Sequence, residues 1–97
     1  MSVRIASGRY KGQQITTVSG PGYRPAMNKV RQALFSMLEA RGLCWTTSRV
    51  LDLFAGSGSL GLEALSRGAQ EVIFVEQASK AVRALRQTIA RLKVPKG

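Results

Sequence analysis

Apolar positions recur along the chain with two periods, and each stretch of constant period marks an element. Val3 and Ile5 alternate with Arg4 ahead of Ser7-Gly8, and Ile15 to Val18 follow Lys11-Gly12. Period two on both sides of a glycine-bearing turn predicts a hairpin of two short strands, over 2–6 and 13–18. Ser19-Gly-Pro-Gly22 then breaks the chain. From Asn28 onward Val30, Leu34, Met37 and Leu38 fall on one helical stripe. Arg31, Gln32, Ser36 and Glu39 lie off it, and Gly42 is a natural stop. Arg49 to Phe54 reads as a buried strand, and Ala55-Gly-Ser-Gly-Ser-Leu-Gly61 opens a helix that runs to about Arg67 and closes at Gly68. Glu71 to Glu76 is the next strand. Ala81, Val82, Leu85, Ile89 and Leu92 form the buried stripe of a last helix, whose other face carries Lys80, Arg83, Arg86 and Arg91.

Strand, glycine turn, helix, strand, helix is the order of an α/β fold. It predicts the first half of a Rossmann-like doubly wound sheet, with a right-handed crossover, preceded by a β-hairpin and a helix. The sheet is expected to hold the two parallel strands and the hairpin. Its remaining edge would be open and apolar, which invites association and leaves a marginally stable or self-associating chain.

Composition narrows the chemistry. The 97 residues include a single cysteine, Cys44, and no histidine. One cysteine excludes an internal disulfide framework and a cysteine-rich zinc site, and the missing imidazole removes Ser-His-Asp and Cys-His nucleophiles and histidine metal centres from this chain. No metal is expected. No apolar run approaches the roughly 20 residues that cross a bilayer, and Met1-Ser-Val-Arg-Ile lacks a basic region followed by an apolar one. The expectation is a cytoplasmic protein with no membrane partner.

Fifteen Lys and Arg against five Asp and Glu give a net charge of +10. The excess is concentrated at the front: residues 1–49 carry +7 and residues 50–97 carry +3. Arg4, Arg9, Lys11 and Arg24, with Tyr10 and Tyr23 among them, read as a surface for a polyanion, most naturally RNA. The competing reading is a solvated basic face that keeps the chain dispersed.

The glycine turn carries the sharper signal. Gly56-Ser-Gly58-Ser-Leu-Gly61 matches G-x-G-x-x-G directly after a strand and at the mouth of a helix, and Glu76 lies 20 residues beyond Gly56 at the end of the next strand. Glycines let backbone approach a ligand, the helix N-terminus presents free N–H donors, and a carboxylate at the tip of the second strand can take both ribose hydroxyls. Asp52 separates the candidate nucleosides. A dinucleotide pyrophosphate over this turn would be repelled by a carboxylate four residues before the first glycine. The ammonium of S-adenosylmethionine would be attracted to it, and that ligand's carboxylate suits the helix N-terminus. The alternative for Asp52 is a turn acceptor that satisfies local N–H groups. Phe54 is placed with the cofactor-lining residues, although an apolar residue beside a strand is ordinarily core, the role given to Trp45 and Cys44.

Three segments resemble one family. Val50-Leu-Asp-Leu-Phe-Ala-Gly-Ser-Gly-Ser-Leu-Gly-Leu-Glu-Ala-Leu-Ser-Arg-Gly-Ala69 is similar to motif I of the bacterial small-subunit ribosomal RNA guanine-N2 methyltransferases. Arg4-Ile-Ala-Ser-Gly-Arg-Tyr-Lys-Gly12 resembles their opening hairpin, and Arg24-Pro-Ala-Met-Asn-Lys-Val-Arg-Gln-Ala-Leu-Phe35 their arginine-proline helix entry. The resemblance implies a class I methyltransferase that uses S-adenosyl-L-methionine and takes small-subunit ribosomal RNA, or the assembling subunit, as partner. Asp52, Gly56 and Gly58 would line the methionine and adenosine side, and Glu76 would hold the ribose. Arg24 and the helix after it would cover the cofactor or reach toward RNA. Residues 1–25 become a basic hairpin extension, 26–49 a helix and linker, and 50–97 an incomplete cofactor-binding βαβα unit of one truncated domain.

Some positions depart from the family pattern. Ala26 stands where threonine is usual, Asn28 near a usual acid, Gln32 in place of glutamate, and Ala78 where an aspartate commonly follows the ribose acid. The family's Asn/Asp-Pro-Pro-Tyr/Phe motif, which receives the target base, has no counterpart among the 97 residues, so no catalytic residue is assigned and the isolated chain is expected not to turn over. Two other classes stay open: an NAD-type oxidoreductase fragment, favoured by the literal G-x-G-x-x-G, and a non-enzymatic basic RNA-binding module, favoured by the charged first half.

Overall fold

The computed structural model describes residues 3–17, 25–53 and 55–94, with side chains in the second stretch from residue 29. Two short strands, β1 (Val3–Arg4) and β2 (Gln14–Ile15), pair antiparallel. Helix α1 (Pro25–Ala40) follows, then a single 3-10 turn at Trp45–Thr47. Strand β3 (Arg49–Leu53) leads into α2 (Ser59–Ser66), and β4 (Glu71–Val75) into α3 (Ser79–Leu92). β3 and β4 pair in parallel, Arg49 opposite Glu71 through Leu53 opposite Val75. This is the α/β order the periodicity predicts, and a partial Rossmann-like unit. Helix α1 begins at Pro25, three residues earlier than expected, because proline's fixed φ suits the first helical position.

The hairpin does not join the parallel sheet; it forms a separate two-stranded sheet. Its buried residues Val3, Ile5 and Ile15 pack in one cluster with Leu62 of α2 and Leu85 and Leu92 of α3. The reason is visible in the polar contacts. The fully buried Thr88 hydroxyl of α3 accepts the Thr16 N–H at 2.9 Å and donates to the Ala84 carbonyl. Arg91 donates to Thr16 Oγ1 and to the Gln14 carbonyl, so this base serves the hairpin and not an open basic face.

Helix α1 is rotated from the expected stripe. Arg31 and Phe35 are buried and Leu38 is half-buried, whereas Val30, Leu34 and Met37 are exposed. Phe35 stacks at 5.2 Å on Trp45, in a second cluster with Ala64 and Ala69. The burial of Arg31 sets the rotation: its Nη2 donates to the Arg4 carbonyl at 2.5 Å and its Nε lies 3.5 Å from Glu63 Oε1. Arg31 therefore leaves the basic surface counted from sequence. Trp45 is core as expected, its Nε1 donating to Glu39 at 2.6 Å, but Cys44 is exposed. Among the described residues, the β3–β4 sheet is covered on one face only. Val50, Asp52, Val72 and Phe74 turn toward the helices, while Leu51, Leu53, Ile73 and Val75 on the opposite face are exposed.

Candidate cofactor site

The carboxyl ends of β3 and β4 meet the N-terminus of α2, and the predicted acids stand there. Gly56 (φ 59°) and Gly58 (φ 88°) both take left-handed backbone, which turns the chain from β3 into the helix. They differ in what surrounds them. A Cβ on Gly56 would meet nothing within 4 Å, whereas one on Gly58 would lie 2.4 Å from Leu85 Cδ1 and 3.3 Å from Phe74 Cε1. Gly58→Val would therefore strike the core before any ligand. Gly61 is a packing glycine: a Cβ there would lie 2.4 Å from Phe74, 2.9 Å from Val72 and 3.0 Å from Asp52 Oδ2. Its absence lets α2 lie against β3 and β4.

Asp52 is buried at 7% exposure and its Oδ2 accepts the Gly61 N–H at 3.0 Å. The turn-acceptor role weighed from sequence is thus real in this structure. It does not exhaust a carboxylate, which offers about four acceptor positions. Burial pushes the Asp52 carboxyl above its ordinary pKa; the Gly61 N–H works the other way, and the charge of Glu76 adds to the rise. A second anion is thus felt at Asp52, and a cation placed between the two would relieve both.

Glu76 caps the same turn. Its Oε1 accepts the Gly56 N–H at 2.7 Å and its Oε2 the Ala78 N–H at 2.8 Å, and these bonds, Ala78 first, hold its pKa below the ordinary glutamate value. The Ala55 N–H also donates to the Val75 carbonyl, so the two strand ends are tied together. Asp52, Gly56, Gly58 and Glu76 are brought to one end of the sheet. Phe54 and Arg24 lie outside the described residues. Arg4, Arg9 and Lys11 are exposed together on the hairpin, Arg4 donating to the Gly12 carbonyl and the Arg9 guanidinium lying 5.5 Å from the Tyr10 ring centroid. Among the described residues no cluster of three His, Cys, Asp or Glu stands together, and no helix is long and apolar enough to cross a membrane.

Sequence reasoning missed the acid at the other end of α2. Glu63 is fully buried. It accepts the Ala6 N–H at 2.9 Å, the Ser7 N–H at 3.1 Å and Arg67 Nε at 2.9 Å, beside the Arg31 pair. Next to it the Ser66 hydroxyl accepts the Tyr10 N–H and donates to the Ser7 carbonyl, and the Ser66 carbonyl accepts the Arg9 N–H. The signal was present: Glu63 sits inside the apolar run Leu60 to Leu65 with Arg67 four residues on, a placement that solvent cannot explain.

Comparison with known proteins adds to this geometry. The family model described as "Conserved hypothetical protein 95" matches residues 3–96. The chain is 40% identical over 94 residues to the Bacillus subtilis protein YlbH, whose name places it provisionally among rRNA methyltransferases; the match covers 97% of this chain and 50% of that protein. It is 37% identical over 91 residues to ribosomal RNA small subunit methyltransferase D of Escherichia coli K12, covering 94% of this chain and 44% of that protein. Among solved structures, an Escherichia coli protein, YhhF, provisionally named a methyltransferase, superposes with a TM-score of 0.80 at 34% identity, over 97% of this chain and 49% of its own. The chain spans about half the length of the curated relatives it matches.

Proposed function

The chain belongs to the family described as Conserved hypothetical protein 95, and from that premise we propose that it forms the cofactor-holding part of an S-adenosylmethionine-dependent methyltransferase acting on an exocyclic guanine N2 of small-subunit ribosomal RNA. The observation that carries the reading is the pair Asp52 and Glu76 at the carboxyl ends of two parallel strands, flanking a glycine turn at a helix N-terminus. The donor set suits the ligand. Asp52 offers a buried negative charge to the ammonium, Glu76 retains acceptor capacity for ribose hydroxyls, and open space at Gly56 admits the nucleoside. When bound, the cofactor supplies an electrophilic methyl group.

The chain's own residues bind and orient that ligand, and the exposed Arg4, Arg9 and Lys11 of the hairpin offer positive charge to RNA phosphates. The name of the Escherichia coli relative supports small-subunit ribosomal RNA as substrate, and that of the Bacillus subtilis relative supports ribosomal RNA. An exocyclic amine is a weak nucleophile and needs fixed acceptors around it. None is assigned within these 97 residues, so radiolabelled methyl transfer to unmethylated small subunits by the chain alone is expected to be undetectable. The functional reading itself is tested by calorimetry with S-adenosylmethionine, NAD and a short RNA. Binding of S-adenosylmethionine in preference to NAD supports it. Tighter NAD binding favours the oxidoreductase reading, and RNA binding with neither cofactor favours a plain RNA-binding module.

A further inference from the structure

The exposed side of α3 carries charge that the fold does not use. Lys80, Arg83 and Arg86 are exposed at three-residue intervals, so they follow one another along one face, advancing about 4.5 Å at each step. Exposed Lys93 extends the series past the last turn. No acid occurs between Ser79 and Leu92. The chain's five acids are all committed elsewhere: Glu39 and Glu63 to Arg67, with Trp45 and Arg31, Glu71 to Arg49, and Asp52 and Glu76 to the glycine turn. Among the described residues no ion pair reaches these four bases. The helix's own electrostatics oppose the arrangement. Lys80 lies in the first turn, where the macrodipole favours anions, and like charges three residues apart repel. Lys93 holds left-handed backbone (φ 56°), where glycine is relaxed and a lysine is strained. A face kept basic against the helix's own preference fits a polyanion supplied from outside.

We propose that Lys80, Arg83, Arg86 and Lys93 form a second RNA-phosphate surface, on α3, beside the basic hairpin and indifferent to base sequence. The occupant is not a lipid surface, because the apolar side that an interfacial helix would insert is already buried in the core through Ala81, Ala84, Leu85 and Leu92. Phosphates and not bases are its targets, since α3 has no aromatic side chain on which a base could stack. Arg91, on the same helix, donates to the Gln14 carbonyl and to Thr16 Oγ1, and Thr88 accepts the Thr16 N–H. The hairpin's second strand is therefore fastened to α3, and its bases and those of the helix belong to one body. That continuity favours RNA over an acidic protein. The inference rests on the reading of small-subunit RNA as partner and extends the contact to a helix outside both the cofactor turn and the hairpin.

The test is the salt dependence with which the chain binds a short single-stranded RNA of mixed sequence. Arg83→Gln with Arg86→Gln should flatten the log-log slope by about 1.4, at about 0.7 for each phosphate released. The unfolding midpoint should be no lower than wild type, because both side chains are exposed and repel each other. Arg83→Lys with Arg86→Lys keeps the charge and should restore the wild-type slope. Arg41→Gln with Arg49→Gln removes the same charge from exposed positions on other elements and should move the slope by less than about 0.5. An unchanged slope in the Arg83 and Arg86 double variant, while Arg4→Gln with Arg9→Gln flattens it, overturns the proposal and leaves RNA as the partner. Equal flattening by the Arg41 and Arg49 pair overturns it too, because net charge alone would then account for the effect. Tighter binding of polyglutamate than of RNA, lost in the Arg83 and Arg86 variant, gives the face to an acidic protein instead. No RNA binding by the wild-type chain removes the proposal and the RNA reading together.

Discussion

Carboxylates stand at both ends of α2 in opposite circumstances. At the C-terminal end Glu63 is fully buried, and two hairpin N–H groups and two arginines converge on it. At the N-terminal end Asp52 holds one N–H and Glu76 holds the turn through two, with acceptor positions left on both. An acid whose partners are all supplied by the chain fastens the fold. An acid with capacity to spare, beside left-handed backbone that favours glycine, has room for a further partner. One eight-residue helix thus joins the basic hairpin, docked on its last turn, to the candidate cofactor turn at its first.

The sharpest way to break that comparison is to empty the closed end. Glu63→Ala leaves Arg31 and Arg67 without their shared carboxylate, and removing one partner of a buried pair costs about 3–5 kcal/mol. Denaturant unfolding should show that loss, with detachment of the hairpin; a wild-type midpoint would remove Glu63 from its role. Gly61→Ala follows in size. Its methyl would push on Phe74 and Val72 and lift α2 from the sheet, at about 1–3 kcal/mol of overpacking, together with displacement of Asp52.

The open end sharpens through pH. Asp52 has a raised pKa in the folded chain, so between its ordinary and raised values the native state holds more protons than the unfolded one. Its contribution to stability therefore falls as pH rises through that window, while attraction for an ammonium grows through the same window. Glu76 runs the other way: its lowered pKa contributes stability that is present above the ordinary glutamate value and lost as pH falls through the lowered one. Asp52→Asn keeps a side-chain oxygen for the Gly61 N–H and removes the charge. It should abolish the Asp52 component of both profiles, and unfolding and ligand titrations across acidic pH read the two together.

The smallest expected effect belongs to the hairpin. Single-stranded RNA affinity should fall with salt at a log-log slope of about −0.7 per phosphate contacted, and neutralising two of Arg4, Arg9 and Lys11 should flatten the slope by about 1.4. An unchanged slope would give these bases to solubility.

Much of the βαβα unit was legible because its signals are local: alternating or continuous apolar strands, a glycine turn, and Gly68 closing α2. What escaped depends on contacts distant in sequence. Arg31 reads as a surface base until Glu63, 32 residues on, draws it inward and turns α1 so that Val30, Leu34 and Met37 face out. The hairpin reads as sheet until Thr88 and Arg91, more than 70 residues away, tie it to α3. The positions of Asp52 and Glu76 were legible, because strand ends and a fixed spacing place them. The separate duties of Gly56, Gly58 and Gly61 were not, since a literal G-x-G-x-x-G does not say which missing side chain faces the core.

The central claim is that the open end of α2 holds its acids for a cationic nucleoside ligand. It is tested most directly by titrating the wild-type chain and Asp52→Asn with S-adenosylmethionine at neutral pH, each verified by circular dichroism as folded. Loss of a hydrogen bond to a charged group is worth about 1.5–3 kcal/mol, so the variant should bind roughly ten- to hundredfold more weakly with an unfolding midpoint no lower than wild type. Equal affinity in the two proteins would show that the Asp52 charge serves the turn alone, and would contradict the account.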